Sequence, residues 1–199
     1  FQLNGIKFTQ TWEGFVYHMT CRGSRFADGA KRNPNGDVFM KNRETDEWLK
    51  QNHKSTMEFI RKWGHYCKHD ALMKPIIPPK YDIGFVVKNC NTLELLKTLE
   101  PWCSTVYIDN WTVRNEYLYQ ENHNTSFDLD YKIKAYNNEK NNEILITIDG
   151  DKFVQQDFQI IQQLPEILKD SGEIGSFELG NLHIDVIQIN TYENDLIKI

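Results

Sequence analysis

Asp82-Ile83-Gly84-Phe85-Val86-Val87-Lys88, followed by a helical run over 91–99 and then Thr105-Val106-Tyr107-Ile108, is the stretch whose reading decides the fold. The first run is apolar at successive positions, which suits a strand buried on both faces. Leu95, Leu96 and Leu99 share one face of a short helix that Pro101 closes. The chain then returns to a β-prone run, so the two strands form a parallel pair with a right-handed crossover.

Working downstream, residues 110–126 are polar and show no clear period. The runs 131–136 and 143–148 read as a hairpin around 137–142. Residues 157–169 read as a helix despite Pro165, with Phe158, Ile161, Leu164 and Leu168 on one stripe. The stretch 177–189 reads as a hairpin turned at Gly180-Asn181. Together these predict a small mixed-sheet α+β domain over 81–199, its sheet layered with two helices.

Upstream, Lys74-Pro75-Ile76-Ile77-Pro78-Pro79-Lys80 places three prolines in five residues, which favours an extended, stiff linker over 75–80. Charge changes sign there. Residues 1–80 hold 14 basic against 8 acidic side chains, and residues 81–199 hold 9 against 20. A basic half suits a phosphorylated or polyanionic ligand, and the acidic half argues against nucleic acid along the whole chain. The expected organisation is a first domain over 1–74, the linker, and a second domain over 81–199.

Within the first part, 46–63 is the clearest helix. Thr45 can cap it, Thr56, Phe59, Ile60 and Trp63 make its apolar stripe, and Arg61 and Lys62 suit the negative end of its dipole before Gly64. His65-Tyr66-Cys67-Lys68-His69-Asp70 holds residue types that ligate metals, but its spacing matches no compact zinc pattern, and a connector is the plainer reading. Residues 21–43 are loop-like, with turns at Gly29 and Asn33-Pro34-Asn35-Gly36.

The densest chemistry lies in Val16-Tyr17-His18-Met19-Thr20-Cys21-Arg22-Gly23-Ser24-Arg25-Phe26. A strand ends on an imidazole, and two guanidiniums flank a Gly-Ser turn. Each guanidinium is a planar fork matched to phosphate or carboxylate. A histidine ending a strand is commonly structural, its ring satisfied by backbone carbonyls; the neighbouring Arg22 and Arg25 favour a site.

This stretch, with Gly5-Ile6-Lys7-Phe8-Thr9-Gln10-Thr11-Trp12 before it, resembles the closing segment of the catalytic domain in GT-A glycosyltransferases of family 2, most like viral and phage-encoded members. The likeness runs on through Glu47-Trp48, Phe59 to Gly64, Lys74-Pro75-Ile76, Tyr81 to Val86 and Glu100-Pro101-Trp102-Cys103. It implies that His18 helps hold a divalent cation, Mn or Mg, that carries a nucleotide-sugar diphosphate, with Arg22 and Arg25 on the phosphates. It also implies that the chain is the truncated end of a GT-A catalytic domain plus a helix, with the nucleotide-binding strands, acidic metal motif and catalytic base lying before Phe1. No catalytic residue is therefore assigned. Asp149-Gly150-Asp151 follows a strand and mimics that acidic motif, but it lies downstream of the histidine and reads as a turn, as does Asp128-Leu129-Asp130. Trp12 and Trp48 are candidates for an acceptor surface, core packing being the commoner use of each.

The expected function is transfer of a sugar from a nucleotide-sugar donor to a glycan or other acceptor. The alternative is a non-catalytic binding or assembly module for a phosphorylated or anionic partner. Hydrophobic content of 40% and charged content of 26% suit a globular chain, and no apolar run approaches a membrane span. Cysteines at 21, 67, 90 and 103 form no close pair, which favours a reducing compartment and so a cytoplasmic location.

Overall fold

The computed structural model describes residues 46–72 and 74–190, the side chain of Trp48 apart. The chain divides into two compact units, Phe1–His53 and Lys54–Ile199. Of the first, the described residues are the opening turns of α1 (Asp46–Trp63).

The division lies upstream of the expected 75–80 linker, and that stretch is built into the second unit. Pro75–Ile76 (β2) pairs antiparallel with Lys68–His69 (β1). Pro78 and Pro79 are buried, and Lys80 donates from Nζ to the carbonyls of Arg61 and Lys62, 2.9 Å from each. Prolines forbid a helix here, yet their rings dock well on an apolar surface.

The second unit is α+β with a mixed sheet. After β1 and β2 come β3 (Ile83–Lys88), α2 (Leu93–Leu99) with a 3₁₀ turn over Glu100–Trp102, β4 (Thr105–Ile108) and α3 (Trp111–Glu121). Next are α4 (Leu129–Lys132), β5 (Ile133–Ala135), β6 (Ile144–Asp149), α5 (Gln155–Ser171), β7 (Gly175–Leu179) and β8 (Leu182–Val186). The six-stranded sheet has the order β5-β4-β3-β6-β8-β7. β5, β4, β3 and β6 are mutually parallel, and β8 lies antiparallel between β6 and β7.

The β3–α2–β4 crossover and the hairpin turned at Gly180-Asn181 are as the sequence predicts. Three expectations are corrected. Asp128-Leu129-Asp130 is not a turn but the capped start of α4, the Asp128 carboxylate accepting from Tyr131 N at 3.0 Å. Segments 131–136 and 143–148 do not form a hairpin: β5 lies at the sheet edge beside β4, and β6 lies across β3 from it. Their turn-like connection is long enough to cross the sheet. The polar stretch 110–126 contains α3, whose buried side chains are Val113, Arg114 and Tyr117, too mixed in polarity to give an apolar stripe.

Alternation along the strands sorts the core. Ile83, Phe85, Val87, Val106, Ile108, Ile144, Ile146, Ile148, Leu182, Ile184 and Val186 join one cluster with Ile60 of α1, Leu96 and Leu99 of α2, Tyr117 of α3, Leu129 of α4, and Ile161, Leu164 and Leu168 of α5. The described helices thus share one face. On the other, the 136–142 connection crosses β3 and β4: the Tyr107 hydroxyl donates to Asn142 Oδ1 at 2.9 Å, and Lys140 Nζ sits 5.5 Å from the Tyr107 ring centre. Hence β3 and β4 are buried on both sides, whereas β6 and β8 alternate buried and half-buried.

Arg61 is not the solvated helix-end charge that its position suggests. It is buried, and its Nη2 lies 2.7 Å from Glu100, itself 0% exposed. Glu100 also receives Lys132 Nζ at 2.7 Å and the Tyr117 hydroxyl at 2.7 Å. One carboxylate thereby ties α1, the 3₁₀ turn, α3 and α4 together. Burial alone would raise its pKa, but the charges of Lys132 and Arg61 and their hydrogen bonds hold it down to about 2.

Substituting Glu100→Gln keeps the shape but leaves Lys132 and Arg61 without their counter-charge, and should cost about 3–5 kcal/mol of unfolding free energy at neutral pH. The carboxylate's pH-dependent contribution is complete above the ordinary value of 4.5 and is lost as pH falls towards about 2, because the folded pKa is the lower one. Denaturant titrations of wild type and variant across that window check both points; superimposable acid limbs would refute the role given to Glu100.

Candidate functional site

In an open sheet of parallel strands, the crevice beyond the carboxyl ends of the strands forms where the chain's progression across the sheet reverses. Here that point lies between β3 and β6: from β3 the chain moves outward to β4 and β5, then returns to β6 on the other side of β3. Polar residues follow each of these strands. β3 runs into Lys88-Asn89-Cys90-Asn91, β4 into Asp109-Asn110, and β6 into Asp149-Gly150-Asp151-Lys152.

Asn89 organises the crevice. Its φ of 54° lies in the left-handed region, which asparagine tolerates better than most residues. The turn made there sends its backbone N–H to Asp109 Oδ2 at 2.6 Å, and Cys90 N donates to Asp109 Oδ1 at 3.1 Å. Both Asp109 oxygens are thus spent on holding the start of the β3–α2 connection. The Asn89 side chain reaches the other way and donates from Nδ2 to Asp149 Oδ1 at 2.9 Å. Asn91 Nδ2 lies 3.4 Å from Asp151 Oδ1.

The acidic turn is fitted against the end of β3. Gly150 N donates to the Lys88 carbonyl at 2.8 Å. A Cβ on Gly150 would lie 2.4 Å from the Asn89 carbonyl oxygen and 2.8 Å from Leu95 Cδ2, so glycine is required for so close an approach. Asp149 Oδ1 also accepts from Asp151 N at 3.2 Å, and Lys152 Nζ lies 3.6 Å from Oδ2. The Asn89 hydrogen bond, reinforced by the Asp151 N–H and the Lys152 charge, holds the Asp149 carboxyl below its ordinary pKa. Asp151 is exposed and Asp149 half-buried.

The crevice therefore presents the carboxylates of Asp149 and Asp151, with Lys152 Nζ 3.6 Å from Asp149 Oδ2 and Lys88 opposite Asp149 in the strand register. Among the described residues no group of three or more His, Cys, Asp or Glu is placed to hold a metal ion. Two carboxylates nevertheless fit magnesium-type binding, in which one or two protein carboxylates share the ion with substrate phosphates and water.

The residues singled out from sequence fare differently. His18, Arg22, Arg25 and Trp12 lie outside the described residues, as does the Trp48 side chain. His65 is buried, with Nδ1 2.6 Å from the Tyr66 carbonyl and its ring edge-on to Phe59. Cys67 is exposed, and His69 Nδ1 lies 2.9 Å from the Asp70 carbonyl. Asp149-Gly150-Asp151 does form a turn, as expected, but the turn sits at the reversal point. Asp109 and Asn89 were missed by sequence reasoning. The available signal was a polar residue immediately after each parallel strand, legible only once β6 is known to lie beside β3.

No family model matches this chain, and no curated protein or solved structure matches it.

Gly150→Ala should destabilise the unit by about 1–3 kcal/mol, the usual cost of overpacking. Because the intruding methyl meets the Asn89 backbone, the damage should centre on the crevice. Amide exchange is the measurement: protection at Asn89 and Cys90 should fall further than that along β8, and uniform loss would count against the close fit.

Proposed function

We propose that the second unit binds the diphosphate of a nucleotide-sugar at the crevice between β3 and β6 and serves glycosyl transfer, the activity that the family resemblance implies. The observation that carries this reading is the Asp149-Gly150-Asp151 turn, joined through Asn89 to Asp109 where the parallel strands change direction. In this reading the donor site does not have to lie upstream of Phe1. The roles that the resemblance gives His18, as a metal ligand, and Arg22 and Arg25, as phosphate contacts, fall outside the described residues, and this reading does not draw on them.

Asp149 and Asp151 would hold the divalent cation, which when bound supplies positive charge to the departing nucleoside diphosphate. The protein's own residues do the positioning. Asp109 fixes the β3–α2 turn through two backbone N–H groups, and Asn89 sets the orientation of the Asp149 carboxylate. Lys88, opposite Asp149 in the β3–β6 register, and Lys152 add positive charge at the rim. Preorganised charges of this kind act where charge develops on the leaving phosphate.

Calorimetric titration with uridine and guanosine diphosphates, with and without Mn²⁺ or Mg²⁺, tests the reading. Binding should require the cation, and Asp149→Asn and Asp151→Asn should each weaken it about tenfold or more, at least the loss that follows removal of a group that only orients a metal ligand. Cation-independent binding is what the alternative, a module for a phosphorylated partner, expects. Unchanged affinity in both variants would sink the site.

A further inference from the structure

Two residues beyond Asp109 stands Trp111, the first residue of α3. Its place is fixed by the cap before it: Asn110 Oδ1 accepts from Thr112 N at 3.2 Å and from Val113 N at 3.3 Å. Trp111 is 47% exposed, whereas Trp102 is 6% exposed in the core. Single exposed rings are ordinary, and Tyr119 and Tyr131 are more exposed still; what sets Trp111 apart is the cation packed against it two residues from Asp109.

Its inner face is occupied. The Arg114 guanidinium lies 4.4 Å from the indole ring centre. Arg114 is itself buried and immobilised, with Nε donating to the Ile133 carbonyl at 2.9 Å and Nη2 donating to the Asp130 carbonyl at 3.1 Å and to Asp130 Oδ1 at 2.8 Å. The cation is therefore anchored to α4 and to the start of β5, and it clamps the indole from behind. A ring held this way has already lost its rotamer freedom, so a ligand stacking on it pays little ordering cost.

The clamp also selects the ligand. A cation on one face draws π-density towards itself, leaving the outer face less negative. That weakens contact with sugar C–H groups or with a second cation, both of which need a negative face. It favours a planar π-system laid flat on the ring, and every nucleobase supplies one. Asp109 and Trp111 are separated by at most about 7 Å of chain, and Asp109 is hydrogen-bonded through Asn89 to the acidic turn.

The geometry points to Trp111 as the stacking platform for the base of the bound nucleotide, with Arg114 as its positioning residue. This rests on the reading of the crevice as a diphosphate site. The platform adds affinity for the nucleoside end while the acidic turn serves the phosphates, so the two ends are separable by experiment.

The test is calorimetric titration of the full chain with adenosine and uridine diphosphates, and with inorganic pyrophosphate, in the presence of Mn²⁺. Trp111→Ala should weaken both nucleotides by about tenfold, within the range for loss of one base–aromatic stack, and leave pyrophosphate unchanged. Trp111→Phe should restore most of the loss, and nucleotide should quench tryptophan emission in wild type more than in Trp111→Phe. Nucleotide affinity equal to wild type in Trp111→Ala, or an equal loss for pyrophosphate, overturns the platform. Should Asp149→Asn leave nucleotide binding intact while Trp111→Ala abolishes it, the platform stands and the diphosphate reading fails. If wild type binds neither nucleotide nor pyrophosphate, both fall together.

Discussion

Glu100 is the constraint on which the helical layer depends. A carboxylate with no exposure to water is tolerable only where its charge is answered, and here Arg61, Lys132 and the Tyr117 hydroxyl answer it from three different helices. The ion cluster is demanding in geometry, since moving any one helix would strand a buried charge. That demand fixes the helices against the sheet more specifically than the interchangeable contacts of Ile and Leu can. Glu58 extends the arrangement: Arg61 Nη1 donates to it at 2.9 Å, and the Thr125 hydroxyl donates to it from the loop after α3.

A second set of polar contacts works at the opposite extreme of burial. Asn89, Asp109 and Asp149 are joined at the open ends of three parallel strands, where Asp149 is held by the Asn89 amide and by Lys152 at the half-exposed rim. Here the backbone is the scarce element. Gly150 leaves no room for a side chain against Asn89, and Asn89 adopts a left-handed conformation. Close approach and an unusual φ at the same point draw two loops from different strands into one crevice. A similar fit occurs at the first turn of α5, where Gly180 (φ 62°) brings the β7–β8 turn against Asp157, whose carboxylate accepts from Asn181 N at 2.9 Å. There the neighbours fill both carboxylate oxygens, which makes that contact structural.

Local pattern carried much of the fold. The helix over 46–63 was legible because caps, dipole charges and an apolar stripe agreed, and the β3–α2–β4 unit because apolar runs and a leucine face alternated. The α3 helix was not, because Arg114 occupies a buried position that an apolar stripe would give to a hydrophobe, its charge being met by carbonyls and Asp130. The expected 131–148 hairpin failed for a different reason. Two adjacent β-prone runs joined by a turn-rich stretch look alike whether they pair with each other or with older strands, and only competition for the edges of β3 and β4 decides.

The sequence by itself determined the helix over 46–63, the β3–α2–β4 unit with its 82–88 and 105–108 runs in parallel, and that the second half folds as α+β, since propensity and periodicity act over a few residues. Tertiary structure alone decided that β6 lies beside β3, and with it everything about the crevice. Asp149 and Asp109 stand 40 positions apart in the chain, and no local pattern records that Asn89 will bond to both. Pairing between distant strands is set by burial of the whole sheet face, a property of the assembled core rather than of any segment in it.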